Sequence, residues 1–251
     1  MKNLGKPIAS GNTANIYLSA DRVVKVFHEH LADVDPYYEV NKQKFAYACG
    51  LPVPKVLDVT KVDGKQAIIM EYLKGKTLGD LLNVNEKDVA YYMNVSIEVQ
   101  QAIHQIEATE IETMTDKLKR QVKSAYLLSD QQKERLLEQL QSMPSDNKLC
   151  HGDFHLYNVM KNNDEMTIID WVDASSGNPV ADACRTYLLY SQASMDLAEM
   201  YLQLYCEKSG LNNEEVLDWL PIIAGARLEE KLPKSEEERL LKMVNEMERE
   251  K

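Results

Sequence analysis

Up to about Leu73 the apolar positions fall in short runs; beyond it they recur mainly at helical spacing. Ile16-Tyr17-Leu18 and Val23-Val24-Lys25-Val26-Phe27 are rich in β-branched and aromatic residues and flank a polar Asp21-Arg22 turn, so they predict two strands. A helix is expected from about Pro36 to Cys49, because Pro36 suits a first turn and Gly50 suits an end. Two further strands, at about 55–60 and 65–72, flank Asp63-Gly64, whose composition favours a tight hairpin turn.

Past Leu73, Val89, Met93, Ile97, Ile103 and Ile106 approximate one helical face. Ser129 with Gln132, and Ser235 with Glu238, have the spacing of a capping box, which predicts a helix start at each. One strand-like island, from about Leu149 to Trp171, interrupts the helical region. The segment 234–251 is highly charged, yet Leu240, Leu241, Val244 and Met247 form an apolar stripe, which predicts a surface helix. The expected class is therefore α+β. A small β-rich N-terminal lobe covers about 1–73 and a larger, mainly helical lobe covers about 74–251. A ligand is expected in a cleft between them.

The chain has 251 residues, 44% of them hydrophobic, enough for a substantial core. No run of about 18 apolar residues appears, so no membrane span is expected, and the first residues do not read as a secretory signal. Cys49, Cys150, Cys184 and Cys206 are scattered, which predicts reduced thiols in a cytoplasmic protein. A net charge of −11 argues against nucleic acid as a partner and is compatible with a cationic small molecule.

Candidate chemistry concentrates in His151-Gly152-Asp153-Phe154-His155-Leu156-Tyr157-Asn158, followed by Ile168-Ile169-Asp170-Trp171. Asp153 sits beside a glycine that lets the backbone bend, and Asp170 ends an apolar run, as at the end of a buried strand. Carboxylate and carboxamide oxygens are the hard ligands that Mg²⁺ prefers. A carboxylate near a phosphoryl group can also orient an attacking hydroxyl and accept its proton. Lys25 lies within an apolar strand and needs either solvent or a counterion. Taken in isolation, an edge-strand lysine reaching water is the better explanation; the candidate counterion is Glu39 on the following helix. Ser10-Gly11-Asn12-Thr13-Ala14-Asn15 is a small polar turn that could offer N–H groups to phosphate or simply close a hairpin.

Taken together and in this order, the motif from His151-Gly152-Asp153 to Asn158 and Ile169-Asp170-Trp171 resembles the aminoglycoside phosphotransferase and choline kinase family, which has a protein-kinase-like fold. Leu51-Pro52-Val53-Pro54, Met70-Glu71-Tyr72-Leu73-Lys74-Gly75 and Gly177-Asn178-Pro179-Val180-Ala181-Asp182 extend the resemblance over about residues 8–189. It implies an ATP- or GTP-dependent, magnesium-dependent transfer of phosphate to a hydroxyl of a small molecule. It further implies that Lys25 binds the α- and β-phosphates while Glu39 holds Lys25. Ser10, Gly11, Asn12 and Thr13 would lie over the phosphates, and Met70, Glu71, Tyr72 and Leu73 would border the base. Asp153 would be the catalytic aspartate, Asn158 and Asp170 the magnesium ligands, and His151, Asp173 and Asp182 supports. Leu156 and Tyr157 stand where the family often has proline and glycine, which alters loop packing but not the ligand set. The acceptor stays open among aminoglycosides, choline and other amino alcohols, sugars and macrolides.

Two other readings compete. His151, Asp153 and His155 alternate and could hold Zn²⁺ in a hydrolase, although a catalytic zinc site needs three ligands around an open position, and that reading leaves Lys25, Glu39 and Asn158 unused. A kinase-like module that binds nucleotide without catalysis is the other; the presence of the lysine, the aspartate and the metal ligands argues for activity. Glu229, Glu230, Asp196 and Asp218 are acidic candidates for an amine-bearing acceptor, and solvated helix faces account for them as well.

Overall fold

The structure, a computed structural model, describes residues 4–11, 13–29 and 34–246. Asn12 and Met247, both named above, lie outside the described residues. In chain order the first elements are β1 (Ala9–Ser10), β2 (Ala14–Ser19), β3 (Arg22–Phe27), α1 (Pro36–Ala48), β4 (Val56–Val62), β5 (Lys65–Glu71), β6 (Lys76–Thr77) and α2 (Leu78–Val84). Then follow α3 (Val89–Ile103), α4 (Met114–Ser124), α5 (Asp130–Ser142), β7 (Lys148–Cys150), β8 (Val159–Asn162), β9 (Glu165–Ile168) and β10 (Ser175–Gly177). The chain continues through α6 (Pro179–Ala193), α7 (Met195–Ser209), α8 (Asn213–Leu217), α9 (Leu220–Arg227) and α10 (Lys234–Glu246). By packing, the chain forms two compact units, one of residues 1–84 with 157–173 and one of 85–156 with 174–251. No helix among the described residues is long and apolar enough to cross a membrane.

The first unit is built on an antiparallel sheet in the order β1-β2-β3-β5-β4. Successive side chains of a strand point to opposite faces. Val24 and Val26 of β3 therefore pack on one side with Val62, Ala67 and Ile69. Phe27 packs on the other with Val40 of α1, Ala14 and Ile68. Lys25 shares the α1-facing side with Phe27. The β2–β3 turn is Ala20-Asp21 and not Asp21-Arg22, because Arg22 pairs with Ser19; Ala20 takes the left-handed backbone, φ 57°. The β4–β5 turn is at Asp63-Gly64, with φ of 49° and 82°, the positive pair that a tight hairpin of matching twist needs. Asp35 caps α1 by accepting a bond from the Tyr37 N–H, with Pro36 at the first turn.

A second ladder in this unit, β6-β8-β9, carries the chemistry-bearing segment. The Ile168 N–H donates to the Pro52 carbonyl at 2.8 Å, which ties it to the loop after α1. The strand-like island of the sequence is thus divided. Val159–Ile168 forms the β8–β9 hairpin here, while Lys148–Cys150 pairs with Ser175–Gly177 in the second unit.

The second unit is mainly helical. Met93, Ile97 and Ile103 of α3 are fully buried. Ile106 is not on that helix, which ends at Ile103 with His104 as its cap. Ser129 and Gln132 form the expected capping box of α5. Ser235 and Glu238 do not form one: α10 begins at Lys234, and the Glu236 and Glu237 N–H groups donate to the Pro233 carbonyl. A box that the sequence reading missed, Asn212 with Glu215, starts α8. Leu240 and Val244 bury the apolar stripe of α10. The four cysteines are free thiols.

Candidate active site

Lys25 and Glu39 are only 7% and 4% exposed. The Lys25 ammonium donates to both Glu39 carboxylate oxygens, at 2.7 and 2.9 Å, and to Asp170 Oδ1 at 3.2 Å. Burial works against the Lys25 charge, but the two carboxylates outweigh it and raise the lysine pKa. At the other end, burial pushes the Glu39 pKa up against the pull of Lys25, with Asp170 adding to the push. The two ends point opposite ways; the short bonds to both carboxylate oxygens favour the ionised pair. Glu39 reaches Lys25 because the α1-facing side of β3 is where α1 packs.

Asn158 and Asp170 come together at the β8–β9 hairpin. The Ile169 N–H donates to the Asn158 carbonyl at 3.0 Å, so the two side chains start from neighbouring backbone. Asp170 adopts φ 63°, a conformation disfavoured for a residue with a Cβ and found where the surroundings enforce it. Its side chain remains 41% exposed, while the following Trp171 is buried and donates from its indole N–H to the Ile168 carbonyl at 3.2 Å. Asp170 is thus a carboxylate held on a rigid base with room for a further ligand.

These groups line one cavity of about 490 Å³ inside the first unit. Ile8, Ile16, Val23 and Ile169 give it apolar walls, Met70, Glu71, Tyr72 and Leu73 line it, and Lys25, Glu39, Asn158 and Asp170 line it too. The lining suits a flat aromatic base plus an anionic tail, and the amide and carboxylate oxygens of Asn158 and Asp170 suit a hard divalent cation. Ser10, Gly11 and Thr13 do not line it. The Ser10 hydroxyl donates to Asn15 at 2.7 Å, the Gly11 N–H to the Ala14 carbonyl at 3.0 Å, and the Thr13 carbonyl accepts from the His28 N–H at 2.9 Å. The Ser10 hydroxyl and the Gly11 N–H are thus bonded within the β1–β2 hairpin.

In the second unit the loop of His151-Gly152-Asp153 is fastened by Asp182 of α6. Buried Asp182 accepts from the Gly152 N–H at 2.7 Å, the His151 N–H at 3.4 Å, Gln100 Nε2 at 3.1 Å and pairs with His104 Nε2 at 2.9 Å. Burial alone would raise its pKa; His104, Gln100 and the Gly152 N–H overturn that and bring it down to about 2. Within the loop, the Asp153 N–H donates to His151 Nδ1 at 3.3 Å, and His155 Nε2 lies 3.6 Å from Asp153 Oδ2. Arg185, one turn along α6 from Asp182, donates to the Gly152 carbonyl at 3.1 Å. Burial opposes the Asp153 charge, but His155, Arg185 and His151 together depress its pKa below the usual carboxylate range. It is an ionised acceptor at neutral pH.

His151, Asp153 and His155 do not converge as metal ligands among the described residues; the His, Cys and acidic side chains that do are the buried His104, Cys150 and Asp182. Asp182 is already spent on the loop and on α3. Glu230 is equally committed, paired with Arg185 at 2.9 Å and Arg227 at 3.4 Å.

Several residues escaped the sequence reading. Lys42 and Gln43 follow Glu39 on the same buried face of α1, and Lys42 donates to the Val172 carbonyl at 2.8 Å. Gln100, His104 and Arg185 all serve the loop at 151–153. The signal available for these was polar residues at three- and four-residue helical spacing: Glu39 with Lys42 and Gln43, Gln100 with His104, Asp182 with Arg185.

The family model "Phosphotransferase enzyme family" matches residues 5–220. A search of solved structures finds the same fold in an aminoglycoside phosphotransferase, a thermostable mutant of APH(4)-Ia in ternary complex with AMP-PNP and hygromycin B. The TM-score is 0.71 at 16% identity, covering 97% of this chain and 91% of that one. Choline kinase LicA from Streptococcus pneumoniae gives 0.68 at 15% identity over 96% and 93%. Among curated proteins, acyl-CoA dehydrogenase family member 11 from Homo sapiens is 23% identical over 214 residues, 70% of this chain. The match spans only 27% of that protein's length. The fold is the kinase-like α+β fold that the sequence predicts.

Proposed function

The chain belongs to the phosphotransferase enzyme family and is a small-molecule kinase; from that premise we propose that it moves the γ-phosphate of ATP, with Mg²⁺, to a hydroxyl of a small molecule. The observation that carries this reading is the cavity lined jointly by the Lys25–Glu39–Asp170 ion cluster, Asn158 and the apolar segment at 70–73. In this reading residues 1–73 bind nucleotide together with Asn158 and Asp170, and 74–251 carry catalysis and acceptor binding. Bound nucleotide and magnesium supply the transferable phosphoryl group and the charge that neutralises it.

Lys25 holds the α- and β-phosphate oxygens, and Glu39 keeps its ammonium charged and aimed. Asn158 and Asp170 hold the metal. Met70, Glu71, Tyr72 and Leu73 border the base. The backbone of Leu73 makes no hydrogen bond to another backbone group among the described residues, so it can serve a ligand. Asp153 orients the acceptor hydroxyl and takes its proton, and its depressed pKa keeps it ionised for that role. The Asp182 and Arg185 bonds to Gly152 position Asp153. The acceptor is an aminoglycoside-like, amino-alcohol or sugar molecule; the hygromycin B bound to one structural neighbour and the choline kinase assignment of another support that range. We place the reaction in the cytoplasm, where free cysteines are stable.

Replacing Asp153 by Asn tests the assignment. Turnover, read as ADP release over a panel of hydroxyl acceptors, is expected to fall by about 10²–10⁴-fold, with MgATP affinity retained. Wild-type turnover in the variant would remove Asp153 from its role.

A further inference from the structure

Beyond the residues assigned above, the floor of the cavity holds a polar group that the proposed chemistry does not use. Gln43 is 3% exposed and lines the cavity beside Pro54 and Met70. It stands one helical turn after Glu39 on α1, on the same buried face. Its Nε2 donates to the Pro54 carbonyl at 2.7 Å and lies 4.0 Å from Met70 Sδ. The Pro54 bond fixes the carboxamide one way round, since turning it would set Oε1 against the Pro54 carbonyl. Oε1 has no hydrogen-bond partner among the described residues, and it is not among the occluded polar atoms. Oε1 therefore keeps an open acceptor position toward the cavity, one that a methionine or leucine in its place would not offer.

We propose that Gln43 reads the donor base: its fixed Oε1 accepts a hydrogen bond from the 6-amino group of adenine and disfavours a 6-oxo purine, making the enzyme ATP-selective. Met70 places the base edge near Gln43, because it touches the Gln43 amide and begins the segment that borders the base. A 6-oxo group would bring an acceptor toward an acceptor, while the Gln43 amide nitrogen is directed at the Pro54 carbonyl and toward Met70 Sδ. Discrimination of this kind is strong where a buried polar group is left unpaired by the wrong ligand. The inference rests on the nucleotide reading of the cavity.

The test is calorimetric binding to the full chain, without an acceptor, of MgATP, of magnesium inosine triphosphate, which differs at the 6-position, and of magnesium tripolyphosphate, which lacks a base. The wild-type protein is expected to bind ATP more tightly than inosine triphosphate. Gln43→Met is expected to narrow that ratio by about 10-fold while leaving tripolyphosphate affinity unchanged. Gln43→Leu serves as the second variant, and a melting curve on each confirms folding. An ATP-to-inosine-triphosphate ratio that is the same in the wild type and in a folded variant overturns the role of Gln43 and leaves the kinase reading intact. A wild-type protein that binds none of the three ligands overturns the nucleotide reading itself.

Discussion

Each unit buries a carboxylate, and the two are stabilised by different means. Glu39 in the first unit faces a cation, Lys25, that itself touches the exposed-side carboxylate Asp170. Asp182 in the second unit faces fixed donors: two backbone N–H groups, an amide and an imidazole. The first arrangement holds a charge that can be turned toward a ligand, since Lys25 has a partner it can share. The second spends its acceptors on fastening the 151–153 loop to the end of α3. In the proposed reaction the first cluster binds phosphate and the second positions Asp153.

The comparison breaks hardest at Asp182. Asp182→Ala removes the acceptor of the Gly152 N–H and the buried His151 N–H and the partner of His104, at a cost of about 3–5 kcal/mol, measured as a lower denaturation midpoint. Lys25→Met leaves Glu39 buried without its cation and costs about 3 kcal/mol. Here a rescue exists: Lys25→Met with Glu39→Leu replaces the pair by apolar side chains and should recover most of the stability while nucleotide affinity stays lost. No equivalent double variant can rescue Asp182, because two of its partners are backbone N–H groups that no substitution removes. A double variant that recovers both stability and nucleotide binding would remove Lys25 from the site.

The pH dependence of stability separates the units further. The Asp182 pKa is about 2 in the folded state against 3.8 for the free side chain. Its contribution of about 2 kcal/mol is therefore complete above pH 3.8 and is lost as pH falls through 2. Asp182→Asn should flatten that acid limb. Lys25 runs the other way: its pKa is raised above 10.5, so the contribution is complete below 10.5 and fades as pH rises through the folded value. Lys25→Met should flatten the alkaline limb, and it also frees Glu39 from the pull that Lys25 exerts on its pKa.

The smallest expected effect concerns how Asn158 is braced. A Cβ on Gly79 of α2 would meet the Tyr157 ring at 2.6–2.7 Å, and the Tyr157 hydroxyl accepts from Asn83 Nδ2 at 3.1 Å. Gly79→Ala should cost about 1 kcal/mol, since the half-exposed ring can swing aside, and should shift the magnesium concentration needed for nucleotide binding. An unchanged magnesium dependence would reduce Tyr157 to surface packing. This contact is what fills the place of the proline and glycine common in the resembling family.

Much of this was readable along the chain because it depends on neighbours in sequence. Pro36 starts α1, Asp63-Gly64 turns β4 into β5, and Ser129 with Gln132 opens α5, since caps and tight turns are settled over a few residues. The failures came where one residue of register or a distant partner decides. Arg22 pairs with Ser19 and moves the turn by one position, and Pro233 starts α10 before Ser235 can cap it. Glu230 had the look of a free acid until Arg185 and Arg227 met it.

The sequence by itself determined the α+β order of elements and named Lys25, Glu39, Asp153, Asn158 and Asp170, because each sits in a local pattern that its chemistry constrains. Only the tertiary structure decided which charges are spoken for. It set Asp170 against Lys25 across more than a hundred positions of chain, and it gave the loop at 151–153 to Asp182. It also left Gln43 with one half of its amide bonded and the other facing a cavity. Pairing of buried polar groups is settled by packing in three dimensions, and no local pattern records it.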